Sequence, residues 1–68
     1  MTKDEVKKII DEAIETDSVI DVIDAPEAAV YTNVWYIDFK QIDAIRAKGV
    51  NLLNVSVEGN RLTLRVKL

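Results

Sequence analysis

Sixty-eight residues, 49% of them hydrophobic and with a net charge of −3, make one small domain spanning residues 1–68. A chain of this length buries only about 60% of the surface its unfolded form exposes, so its stability margin is thin. It contains no Cys and no His, which excludes a disulfide framework, an ordinary zinc site and the usual imidazole and thiol catalysts.

The first expected element is a helix. Thr2 and Glu5 form the T-x-x-E capping signature. Val6, Ile9, Ile10, Ala13 and Ile14 then recur at helical spacing. The helix is expected to stop near Thr16, where TDS favours a turn. Residues 18–29, SVIDVIDAPEAA, offer a β-branched run that suits a first strand over Val19–Ile23, turned by Ala25-Pro26. DAPEAA could also supply one helical turn, with Asp24 as cap and Pro26 inside the first turn.

Val30 to Ile37, rich in β-branched and aromatic residues, predicts a second strand. Alternation places Tyr31, Asn33, Trp35 and Ile37 on one face and Val30, Thr32, Val34 and Tyr36 on the other. Trp35 and Ile37 are expected to face the helices, with Tyr36 outside. A second helix over Phe39–Lys48 follows, capped by Asp38 with Gln41 and ended by Gly49 in the left-handed conformation. Phe39 at its first position is expected to pack into the core.

Leu52 to Leu68 reads as a β-hairpin closed by Gly59-Asn60. That loop pairs Glu58 with Arg61, Val57 with Leu62, Val55 with Leu64 and Leu53 with Val66. The apolar pairs then share one face; Ser56 with Thr63, Asn54 with Arg65 and Leu52 with Lys67 fall on the other.

The expected fold is therefore α+β, a two-layer sandwich in the order α-β-β-α-β-β, with both helices on one face of a small, mostly antiparallel sheet. If the second and third strands are parallel neighbours, the crossover between them is right-handed. The alternative fold is a winged helix, in which residues 18–25 are helical, Phe39–Lys48 is the recognition helix and Leu52–Leu68 is the wing.

Charge is sorted along the chain. Residues 1–27 hold nine acidic side chains against Lys3, Lys7 and Lys8, whereas residues 28–68 hold three against six basic ones. The acidic string Asp17, Asp21, Asp24, Glu27 lacks the tight spacing of a calcium loop, and Gly49 and Gly59 are too isolated for a phosphate cradle. No constellation meets the geometric requirements of an active site, and no cofactor or metal is implied. The expected role is a small non-enzymatic protein–protein interaction module, a homo-oligomer or the binder of another protein. Its candidate surface is Val30, Thr32, Val34, Tyr36 and Leu52, an apolar patch on a one-sided sheet that a soluble monomer rarely leaves uncovered. The alternative is single-stranded nucleic-acid binding by Arg61, Arg65 and Lys67 on the outer face of the hairpin, which the overall negative charge disfavours. The charged N-terminus and the lack of a long apolar run suit a cytoplasmic protein with no membrane segment. The single Gln and the missing Cys and His would suit a thermophile.

Overall fold

The computed structural model describes all residues, Met1–Leu68. Helix α1 spans Lys3–Ile14 and α2 spans Phe39–Ala47; strands β1 (Val19–Asp24), β2 (Glu27–Tyr31), β3 (Asn51–Glu58) and β4 (Arg61–Lys67) complete the order α-β-β-α-β-β. The four strands form one antiparallel sheet in the order β1-β2-β4-β3. This is the expected α+β architecture, and it replaces the winged-helix alternative. Strands β2 and β3 run parallel to each other but flank β4, so they are not neighbours and the crossover condition does not arise.

Both helices start as their sequences direct. Thr2 accepts from the Glu5 N–H while the Glu5 side chain accepts from the Thr2 N–H, and Asp38 and Gln41 repeat the arrangement on α2. These reciprocal bonds satisfy donors that a helix start leaves free. Helix α1 ends where Glu15 takes a left-handed conformation (φ 53°, ψ 56°). Gly49 (φ 95°) and Gly59 (φ 67°) supply positive φ after α2 and in the β3–β4 turn, as expected for both.

The core is aliphatic. Val6, Ile10 and Ile14 of α1 and Ile45 of α2 cover Ile20, Ala28, Val30, Leu52, Leu62, Leu64 and Val66 on one face of the sheet. Not one aromatic ring is buried. A bond from the Arg46 guanidinium to the Leu52 carbonyl (3.3 Å) ties α2 to β3. Lys7 ties α1 to the start of β1. Its Nζ reaches Asp11 (2.7 Å), Asp17 (2.9 Å) and the Ser18 carbonyl (2.7 Å), and the Ser18 N–H donates to Asp11 (2.9 Å).

Four expectations are corrected. First, β2 is Glu27–Tyr31 and not Val30–Ile37. The DAPEAA segment is no helical turn; Ala25-Pro26 is the two-residue connection of a β1–β2 hairpin in which Asp24 pairs with Glu27. Ala28 and Ala29, helix formers by propensity, are drawn into the strand because the sheet's centre admits small buried side chains there.

Second, the strand ends early. Thr32 N–H still donates to the Leu62 carbonyl, but Leu62 N–H reaches on to Val34, so the ladder slips. Asn33 is meanwhile held by Thr16 and Asp17 of the α1–β1 turn. Third, the two faces of this stretch are the reverse of those expected as far as Trp35, and alternation then breaks at Tyr36, which is exposed like Trp35, while Ile37 packs against the core. Val30 and Thr32 face the helices and are buried, while Trp35 and Phe39 are exposed.

Fourth, the β3–β4 register holds from Glu58–Arg61 through Asn54–Arg65, then shifts. Leu53 bulges out, so Leu52 and not Leu53 opposes Val66. The bulge turns Leu52 into the core and leaves Leu53 at 45% exposure, since an inserted residue reverses the pleat beyond it.

Candidate interaction surface

Residues 32–38 leave the sheet and cross to α2. Val34 and Ile37 pack against the edge of the core. Between and after them Trp35, Tyr36 and Phe39 stand out at 71%, 58% and 84% exposure. The Trp35 and Tyr36 rings lie 5.8 Å apart, inclined at 56°, a tilted contact of the kind aromatic pairs prefer. Tyr36, Ile37, Asp38, Phe39 and Ile42 line a depression of about 290 Å3 beside them. Its geometry is fixed from below. The Asp38–Gln41 capping box holds the first turn of α2, and Asn33 holds the start of the loop.

The expected apolar patch does not exist as drawn. Val30, Thr32 and Leu52 are buried, and Val34 is half-buried against the core. The physical reason is the strand phase. Their face is the one the helices cover, and the Thr32 hydroxyl is satisfied there by the Leu62 carbonyl (2.7 Å). Only Tyr36 of the five belongs to an exposed surface. Trp35 and Phe39 are its true companions. Trp35 lies on the outward side with Tyr31 and Asn33, because alternation breaks between Trp35 and Ile37, and Phe39, expected inside as the first residue of α2, starts the helix on its exposed side. The usable signal was Asn33 itself, a poor strand residue, with an Asp38 cap only a few positions on.

Arg61, Arg65 and Lys67 do fall together on the outer sheet face. They are not alone there. Arg65 reaches Glu27 (3.7 Å), and the rows of the sheet place Asp21 beside Ala29 and Arg65, and Asp24 beside Glu27 and Lys67. Tyr31, Thr63, Asn54, Ser56 and Ile23 share a shallow depression of about 250 Å3 whose floor includes the buried Ala29.

The acidic string is not gathered. Asp17 pairs with Lys7, Asp21 and Asp24 lie along β1, and Glu27 pairs with Arg65. No group of three or more acidic, His or Cys side chains is placed to hold a metal ion. The groove between the helices, about 490 Å3, is rimmed by Glu5, Lys8, Glu12 and Lys48. These are charges of both signs with no convergent donor set. No helix is long and apolar enough to cross a membrane.

Three groups carry perturbed acidity, all structural. The Thr2 backbone and hydroxyl hold the Glu5 carboxyl below its usual value. Hydrogen bonds to Asp11 and Asp17 raise Lys7. Burial pushes Asp11 up, but bonds from Lys7 and Ser18 outweigh it and hold the carboxyl low. None lies at the aromatic prominence. Comparison with protein-family models, with curated proteins and with solved structures finds no match to this chain.

Proposed function

We propose that this chain is a small non-catalytic binding module that grips a protein partner through Trp35, Tyr36 and Phe39. One observation carries the reading. The fold builds its core without a single aromatic ring, yet holds three of its four rings in the open within five residues. Rings left this exposed contribute little to folding, whereas Trp and Tyr are among the side chains most often dominant in binding energy at protein interfaces. The capping box and the core contacts of Val34 and Ile37 hold the loop that bears them, so little ordering cost would fall on binding. The lack of His and Cys removes the commonest general base and thiol nucleophile, which favours a binding role over catalysis.

Selection from a displayed random peptide library tests this directly. Enriched peptides are expected to lose at least about 30-fold in affinity for the Trp35→Ser/Phe39→Ser variant, the scale of a hot-spot loss. Peptides that bind wild type and variant equally would sink the reading.

A further inference from the structure

The sheet is covered on one face by the helices and bare on the other. On the bare face, charge is sorted by strand. Asp21, Asp24 and Glu27 belong to β1 and β2, whereas Arg61, Arg65 and Lys67 belong to β4, with Glu58 of β3 beside Arg61 at the far end. The signs nearly cancel, which gives no field for a polyanion. The arrangement is instead self-complementary.

We propose that this chain forms a two-fold homodimer by packing the bare sheet face against a second copy. The axis runs parallel to the strands, along the seam between β2 and β4. Rotation about it lays β2 over the partner's β4 and β1 over the partner's β3. Within one chain Glu27, Ala29 and Tyr31 pair with Lys67, Arg65 and Thr63. The same rows meet across the axis. Glu27 then faces the partner's Lys67, Ala29 the partner's Arg65, and Tyr31 the partner's Thr63. No like charges oppose in these rows, and a small side chain meets a large one. Ala29 floors a depression of about 250 Å3 that the chain's own Arg65 helps to line, and in the dimer it receives the aliphatic stem of the partner's Arg65. An axis across the strands through the Ala29 row would instead set Arg65 against itself.

The sheet edges are unsuited to the same task. Both edge strands carry an irregularity, between Val22 and Asp24 on β1 and between Leu52 and Asn54 on β3. Bulges twist an edge away from further pairing. The central strands β2 and β4 are regular along their whole contact. Face-to-face packing also covers Val19, Ile23 and Tyr31, at 60%, 52% and 42% exposure. An isologous contact of this kind leaves the aromatic prominence free on each protomer, so the dimer would present it twice.

Sedimentation equilibrium at a few hundred micromolar is the test. Wild type is expected at twice the 7.7 kDa chain mass. Glu27→Lys and Lys67→Glu each oppose like charges and should sediment as monomers, with self-association weakened at least tenfold. An equimolar mixture of the two variants should recover the dimer. Across that mixed interface every altered row again meets opposite charge, which is not so within either chain. A Trp35→Ala/Phe39→Ala variant should remain dimeric, so this proposal and the binding function fail separately. A monomeric wild type, a dimer indifferent to both reversals, or a mixture that stays monomeric would overturn the proposal. So would a monomer whose Arg65 and Lys67 amide resonances shift on adding oligo(dT), which would assign the face to nucleic acid.

Discussion

Asn33 and Thr16 exchange hydrogen bonds across the fold. The Asn33 N–H donates to the Thr16 hydroxyl at 3.1 Å, and that hydroxyl donates back to the Asn33 side-chain carbonyl. The α1–β1 turn thereby holds the point where the chain leaves the sheet, and the exposed rings follow directly. Asn33→Ala should cost about 1 kcal/mol, the net worth of one or two such bonds in a wet site. Amide exchange at residues 33–36 should quicken while that of β4 stays slow. An unchanged exchange pattern would mean that the loop is held by something else.

Acid should weaken the fold through Asp11. Its carboxyl is held below its usual range in the folded chain, chiefly by Lys7 and Ser18 against the opposing pull of burial. A folded value below the unfolded one stabilises at neutral pH and is lost as pH falls through the folded value. Lys7, raised by Asp11 and Asp17, behaves oppositely. Its contribution is full below the ordinary Lys range and is lost as pH rises through the raised value. Asp11→Asn should therefore lower the melting point at neutral pH and lose less than wild type on acidification below about pH 4, the ordinary Asp value. Parallel acid curves for the two proteins would contradict this.

Much of the fold was legible in the sequence because its signals are local. T-x-x-E and D-x-x-Q close their own rings of hydrogen bonds, and Gly59-Asn60 sets the hairpin register from Glu58 as far as Asn54. What was not legible depends on distant partners. The slip at Leu62, the pull of Thr16 on Asn33 and the bulge at Leu53 are set by tertiary contacts. The bulge reverses the face that Leu52 takes, and the other two end the strand before the alternation expected as far as Ile37 is complete. Ile37 does pack against the core, but alternation counted back from it crosses the break at Tyr36 and so puts Trp35 inside and Val30 and Thr32 outside, the reverse of the faces they take.

Glu15 is a site of removable strain. It holds φ 53° at the end of α1, and that last turn has no basic residue. Left-handed backbone costs a non-glycine residue about 1 kcal/mol or more, and an acid near a helix C-terminus meets the wrong end of the dipole. Glu15→Gly should raise stability by about 0.5–1 kcal/mol, or several degrees in a domain of this size. A lower melting point would show that the Glu15 side chain has a stabilising role.

The central claim is that the rings at 35 and 39 serve binding and not the core. Urea unfolding of Trp35→Ala/Phe39→Ala, followed by far-UV circular dichroism, tests it most directly. At 71% and 84% exposure, the two changes together should cost less than about 1 kcal/mol, as surface substitutions do. A loss of about 3–5 kcal/mol, the scale of truncating even one buried aromatic, would place these rings inside the protein and contradict the account.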